Sequence, residues 1–208
     1  MEIIAATIND YIEHQVAEKD PVLIEMQAYG EKRNFPYVGP QVGRLLLILT
    51  KLLGPKKIFE VGSGFGYSAY WFAKALPAGG KVIQTEFEKA HSEKAREFFK
   101  RAGLLEKSDF LVGDGLSLLK QTPGGLDIVF LDLEKEKYPE AFRLAKGRLC
   151  KGGLLIADNT LWFGRVIEKS KDPATVGIQE FNKLLFSDPE FFSTLVPIRD
   201  GLAIGIKQ

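Results

Sequence analysis

The chain has 208 residues, 45% of them hydrophobic, a formal net charge of +1 at pH 7 and one cysteine. That length supports one α/β domain with a sizeable core, and the composition excludes a disordered chain. Near-neutral charge excludes a global field steering the protein to nucleic acid or membrane, although a local basic patch stays open, and the lone Cys150 excludes an internal disulfide framework.

In chain order, Ile4, Ile8, Tyr11 and Ile12 recur at helical spacing and predict an amphipathic first helix. The opening stretch MEIIAATINDYIEH carries acids where a signal peptide carries bases, so a cytosolic protein is the simplest expectation. No segment is apolar for long enough to span a bilayer. The stretch DPVLIEMQAYGEK reads as a second helix, with Asp20 as its cap and Pro21 in its first position. RNFPYVGP reads as a loop, because Pro36, Gly39 and Pro40 oppose regular structure. QVGRLLLILTKLL is a third helix, ended by Gly54-Pro55.

From there the pattern alternates. Short apolar runs at 57–61, 81–85, 110–112, 127–131 and 154–157 predict strands, and helical stretches at 67–76, 88–102 and 139–149 lie between several of them. Such alternation predicts a doubly wound, Rossmann-like α/β sheet, mostly parallel, with helices on both faces. The tail FFSTLVPIRDGLAIGIKQ holds two apolar runs around Asp200-Gly201, so the sheet is expected to finish with a C-terminal antiparallel strand. The chain shows no repeat or linker, and one domain over residues 1–208 is expected, its N-terminal helices (about 1–53) capping the site.

The stretch IFEVGSGFGYSAYWFAKAL joins a strand to a helix through Gly62, Gly64 and Gly66, followed by Tyr67 and Ser68. Glycines in that place let a ligand approach the backbone beyond the carboxyl end of a strand. The third glycine comes one residue earlier than in the dinucleotide fingerprint, which weighs against nicotinamide. Glu60 ends the first strand, and negative charge there suits a ligand carrying positive charge, such as S-adenosylmethionine, better than a pyrophosphate. Glu86 ends the next strand, where a carboxylate can accept both ribose hydroxyls. Asp114, after FLVGDG, either reaches an adenine amino group or caps the helix starting at Gly115.

Two further strands end in acids. DIVFLDLEKEKYPEAF ends its strand with Asp132 and places Lys135 three residues on; GLLIADNTLWFG ends with Asp158-Asn159. Either could merely shape a turn. Together, two carboxylates and a carboxamide make a hard oxygen set suited to Mg²⁺ or another divalent cation. Lys135 is the candidate base, its pKa expected to fall toward neutrality near a cation. His14 and His91 are expected on helix surfaces.

These residues resemble the metal-dependent catechol and caffeoyl-coenzyme-A O-methyltransferases, in their bacterial type. The resemblance runs from VGPQVGRLL through FEVGSGFGYSA, FLDLEKEKYPEAF and ADNTLWFGRV to LVPIRDGLAIGIK. It implies a seven-stranded fold with the last strand antiparallel, S-adenosylmethionine as cofactor, and a homodimer. It implies metal ligation by Asp132, Asp158 and Asn159, catalysis by Lys135 with Asp132, and cofactor contacts from Val38, Gly62, Ser68 and Glu86. Glu60, Tyr67, Asp114 and Asp132 join that cofactor set on the residue reading above. Trp162 and Phe163 are candidate walls of the acceptor pocket. The family's substrate-side acid near the final hairpin falls at about Pro197, so no match is expected. The loop GRVIEKSKDPATVG and the N-terminal helices are expected to cover the acceptor.

The expected reaction is methyl transfer to a vicinal-dioxygen phenol such as a catechol or a caffeoyl group. An alternative acceptor is a 5-hydroxyuridine of transfer RNA, as some bacterial members that resemble this chain use. That alternative predicts basic surface near the site, with Lys32, Arg33 and Arg165 as its candidates. A nicotinamide oxidoreductase and a non-catalytic cofactor-binding protein are weaker rivals.

Overall fold

In this computed structural model, which describes residues 3–208, the Asp20-Pro21 signal works as its chemistry dictates. Asp20 accepts from the Val22 amide at 2.9 Å, and helix α2 runs Pro21–Lys32. Helix α1, Ala6–Gln15, precedes it and buries no side chain. Helix α3, Gly39–Leu53, begins two residues before the expected place. Gly39 and Pro40 do not keep the chain irregular: Pro40 lies in the first turn, where its missing N–H costs nothing.

Strands β1 (Lys57–Val61), β2 (Lys81–Glu86), β3 (Ser108–Val112), β4 (Leu126–Leu131) and β5 (Leu149–Ala157) are parallel neighbours in the order β3-β2-β1-β4-β5. Between them lie α4 (Tyr67–Ala75), α5 (Lys89–Arg101), α6 (Gly115–Gln121) and α7 (Tyr138–Arg148). After β5 come α8 (Pro173–Ser187) and a hairpin of β6 (Phe191–Val196) and β7 (Leu202–Lys207). β7 inserts between β5 and β6 and runs against both, so the seventh strand is antiparallel, as expected.

Period-two alternation sorts each strand between two cores. Ile58, Ile128, Phe130 and Ile156 pack with residues of α2, α3 and α4. Phe59, Val61, Val129, Leu131 and Leu155 pack with α6, α7 and α8. Each such fully buried side chain contributes roughly 1.5–3 kcal/mol by leaving water.

The topology gathers five chain segments at one edge. The carboxyl ends of β1, β2, β4 and β5 point there because the strands are parallel. The turn before β7 arrives at the same edge because β7 runs the other way, pairing Ala203 with Ala157. Among the described residues no helix is long and apolar enough to cross a membrane.

Candidate active site

The strand ends open into a cavity of about 1380 Å³. That exceeds the roughly 300–1,000 Å³ typical of one small ligand, and leaves room for a cofactor and an acceptor together. Its walls include Gly62, Gly64, Glu86, Asp114, Asp132 and Lys135, then Asp158, Asn159, Trp162 and Phe163. Eight of these ten were sequence candidates by name on cofactor, metal or catalytic grounds, and Trp162 and Phe163 as acceptor walls.

The glycine turn requires glycine. Gly62 has φ +85°, and a Cβ there would lie 1.9 Å from the Asp132 carbonyl oxygen. β1 and the Asp132 turn therefore meet backbone to backbone, and any ligand in the crevice faces bare peptide. Glu86 is oriented by this turn: it accepts from the Gly64 amide at 2.8 Å and the Glu88 amide at 2.9 Å. Val38, Tyr67 and Ser68 do not reach the main cavity. With Gly62, Ser63 and Asp132 they line an adjoining cleft of about 30 Å³.

Glu60 lies behind that cleft, fully buried, and accepts a hydrogen bond from the Ser68 hydroxyl. It lines neither cavity, contrary to a direct contact role. Burial pushes its pKa up to about 7, against the pull of the Ser68 hydroxyl; Asp132 and Glu86 add to the rise. Its Oε2 and the Ser63 Oγ are buried without a hydrogen-bond partner. Buried polar atoms left unmatched beside a glycine cradle suit a polar, positively charged ligand group. Asp114 caps α6, accepting from the Ser117 amide at 2.8 Å, and it also lines the cavity. The cap reading is therefore realised, and the carboxylate still faces the cavity.

Asp132 and Asp158 extend the ladder by one rung each. The Asp132 amide donates to Val61 O and the Asp158 amide to Leu131 O, both at 3.0 Å. The two carboxylates thus sit on adjacent strand ends. Asp158 is 5% exposed, and burial together with the Asp132 charge pushes its pKa up. Asn159 adopts φ +57°, the left-handed region that Asn tolerates best after Gly. Among the described residues no three His, Cys, Asp or Glu side chains group as metal ligands. A cation here would therefore rest on two carboxylates and the Asn159 carboxamide, a sparse hard-oxygen set of the kind Mg²⁺ completes with water.

Lys135 sits in a single 3₁₀ turn at 135–137, closed from behind by α8. Gly177 of α8 makes that closure possible, since a Cβ there would lie 2.4 Å from Lys135 O. The Lys135 Nζ donates to Asp132 Oδ1 and to the Tyr138 hydroxyl, each at 3.1 Å, and Tyr138 donates onward to Asp158 O at 2.9 Å. The lowered pKa expected from sequence is not what these side chains produce. Burial works against the ammonium, but Tyr138 and Asp132 outweigh it and hold the pKa above the usual lysine value. Only added positive charge in the site would reverse that sign.

Two residues escaped the sequence reading. Asp200 was taken as a turn former, yet it lines the cavity, accepts from the Phe163 amide and leaves Oδ2 buried without a partner. Burial pushes its pKa up, offset in part by the Phe163 amide and Lys135. It is an acid on the cavity wall three residues beyond Pro197. Arg199 lines the cavity beside it. The signal available was an acid in a hairpin whose far strand runs antiparallel to β5.

Other expectations need correction. Of the N-terminal helices, α1 lines the cavity through Ala6, Asn9 and Glu13, with Ile3 and Ile4 just before it, but α2 does not. Residues 164–177 do not line it either; Asp172 caps α8 there, accepting from Thr175 N at 3.0 Å, so the segment turns helical instead of folding over the site. His91 is no free surface residue: its ring packs edge-on to Phe35 at 4.8 Å and lies 3.6 Å from Glu86. Lys32, Arg33 and Arg165 lie off the cavity wall; Arg33 stacks over Tyr29, and Arg165 pairs with Asp172 at 3.1 Å.

Comparison with known proteins decides the chemistry. The family model described as O-methyltransferase matches residues 13–208. The chain belongs to this O-methyltransferase family. A catechol O-methyltransferase of Niastella koreensis is 30% identical over 96% of both chains. A caffeoyl-CoA O-methyltransferase of Eucalyptus globulus is 30% identical over 78% of this chain and 71% of its own. The O-methyltransferase from Bacillus cereus solved in complex with SAH superimposes with TM-score 0.89 at 28% identity, covering 97% of each chain. The protein is an S-adenosylmethionine-dependent O-methyltransferase of the catechol and caffeoyl-CoA type.

Proposed function

We propose that this O-methyltransferase acts on a vicinal-dioxygen acceptor, a catechol or caffeoyl-type phenol, and requires a divalent cation, Mg²⁺ in the first instance. The observation that carries this reading is the buried Asp158 beside Asp132, with the Asn159 carboxamide next in the chain. Two carboxylates on adjacent strand ends, with one lysine ammonium bonded to Asp132, form a site short of positive charge.

Asp132, Asp158 and Asn159 would hold the cation, whose Lewis acidity lowers the pKa of an acceptor hydroxyl. The cradle at Gly62 and Gly64 would hold the cofactor, Glu86 would accept from its ribose hydroxyls, and Glu60 with Ser68 would supply the negative charge that suits its positively charged group. Trp162 and Phe163, with ring centroids 5.4 Å apart, wall the acceptor side. Lys135 Nζ receives the phenolic proton once surrounding positive charge has made it a free amine. Ile3, Ile4 and α1 line one side of the cavity and would limit the access of water. Alignment of the two substrates is the protein's main contribution, worth roughly 7–11 kcal/mol.

The test is methyl transfer from labelled S-adenosylmethionine to caffeic acid, with Mg²⁺ or with EDTA. Transfer should occur only with the metal, and Asp158→Ala should lose it. Robust transfer by Asp158→Ala in EDTA would refute the metal reading. Lys135→Ala should lower turnover by roughly 10²–10⁴-fold with cofactor affinity changed only a few-fold, read by calorimetry.

A homodimer belongs to the same proposal. Phe192 and Ile206 are register partners on β6 and β7 and are exposed, as are Ile48 and Leu52 on α3. Exposed apolar pairs of this size suit a contact with a second copy, which light scattering at micromolar concentration would detect.

A further inference from the structure

Seven acidic and three basic side chains line the cavity. Two of the three bases are already paired: Lys135 with Asp132 at 3.1 Å and Lys137 with Glu134 at 3.3 Å. Arg199 is the cavity cation without an ion pair among the described residues. Asp200 beside it is engaged with the Phe163 amide.

The position of Arg199 is held at a cost. It has φ +48°, in the left-handed region that favours glycine, between a proline-led turn and Gly201. A side chain kept at such a φ marks a place where its chemistry matters more than backbone ease. The guanidinium is also held in place. Nη1 donates to Tyr37 O at 2.6 Å, and Gly39 at φ +72° leaves the room it occupies, since a Cβ at Gly39 would lie 2.7 Å from Nη1. One corner of the fork is thus tied down, and among the described residues the Nε–Nη2 edge makes no hydrogen bond. Two parallel N–H groups on that edge match a carboxylate bidentately.

We propose that Arg199 is the specificity determinant for an anionic acceptor: it pairs with a carboxylate carried on the phenol, at the end away from the reacting hydroxyls. The inference rests on the methyl-transfer reading above and names its substrate class. Arg199 feels the Asp158 and Asp200 carboxylates but makes no ion pair with either, and among the described residues an anionic acceptor finds no other cation on the wall without an ion pair.

The experiment compares caffeate with its neutral methyl ester, which keeps the catechol and removes only the charge. Affinities are measured by calorimetry on protein loaded with S-adenosylhomocysteine and Mg²⁺, so that no turnover is needed. Caffeate should bind about tenfold tighter than the ester, and Arg199→Gly should bring the ratio close to one. Glycine suits φ +48°, so this variant is expected to fold; Arg199→Lys should keep part of the preference. A parent ratio near one, absence of caffeate binding, or an Arg199→Gly variant that weakens both ligands equally would overturn the assignment. So would salt-sensitive binding of a uridine-containing RNA hairpin that Arg199→Gly weakens while the caffeate ratio stays near one. Methyl transfer is scored separately: charge-selective binding without transfer counts against the reaction assigned above, and transfer without charge selectivity counts against Arg199 alone.

Discussion

The two walls of the cavity solve the same backbone problem in opposite ways. Beyond β1, the left-handed positions are all glycine: Gly62, Gly64 and Gly66. On the acceptor side Gly164 and Gly201 are joined by four residues that carry side chains: Asn159, Trp162, Phe163 and Arg199. A cofactor recognised through peptide groups needs side chains removed, and glycine does that without strain. An acceptor recognised as proposed, through an aromatic wall and a guanidinium, would need side chains present, and strain of order 1 kcal/mol or more per residue is retained there. The cofactor wall is built for close approach; the acceptor wall is built for chemical identity.

Substitutions can break this contrast. Gly62→Ala attacks the cofactor wall where it has no slack, with the added Cβ 1.9 Å from Asp132 O. It should destabilise the protein by roughly 3 kcal/mol or more and abolish measurable cofactor binding, read by urea unfolding and calorimetry. Near-normal binding would mean that the turn relaxes, and that the wall is less rigid than its geometry says.

Glu60→Gln probes the charge stored behind the same wall. The Glu60 pKa rises from about 4.5 to about 7 on folding, mainly through burial. Above pH 7 the carboxylate is charged in both folded and unfolded chains, and the burial penalty is felt in full. As pH falls from 7 toward 4.5 the folded protein takes up the proton first, and stability rises; below 4.5 nothing more is gained. Ligand-free Glu60→Gln should therefore be more stable than the parent at pH 8, by on the order of 1–3 kcal/mol, with the gap closing near pH 5 in parallel thermal melts. The same variant should bind the cofactor more weakly. A gap that is constant with pH would show that the carboxylate is not the source of the penalty.

Phe163→Gly sharpens the contrast from the acceptor side. Relief of a left-handed φ of 54° offsets the loss of the contact with Trp162. Stability should stay within about 1 kcal/mol of the parent, while the KM for the phenol rises and that for the cofactor does not. A marked drop in stability would instead make Phe163 a packing residue.

The difference between the walls also explains what could be read in advance. The cofactor wall was legible because its determinants are local: a strand, three glycines and an acid lie within 58–66, and Glu86 follows one helix later. Asp132 and Asp158-Asn159 were legible for the same reason, each closing an apolar run. Asp200 and Arg199 were not, because their place depends on pairing far along the chain. They reach the site only when Thr160 N donates to Gly201 O at 3.0 Å and Leu161 N to Asp200 O at 2.9 Å. The hold on the Lys135 ammonium in the absence of a cation is illegible for a related reason: the Tyr138 hydroxyl that holds it acts through a side-chain orientation no spacing reveals. The start of α3 was missed because proline was read as a breaker where it serves as a first-turn residue.

Helix α1 has one more consequence. It buries no side chain, and its links to α3 run through Gln41 Nε2 donating to Asn9 Oδ1 at 3.0 Å and, at its end, Arg44 donating to the Val16 and Ala17 carbonyls at 3.2 and 3.3 Å. A segment fastened by a few polar links detaches at a small fraction of the free energy that opens the sheet, so its amides should exchange with solvent deuterium well before those of β1 or β4. Traffic into and out of the cavity can then proceed through a door whose hinges are independent of the building's frame.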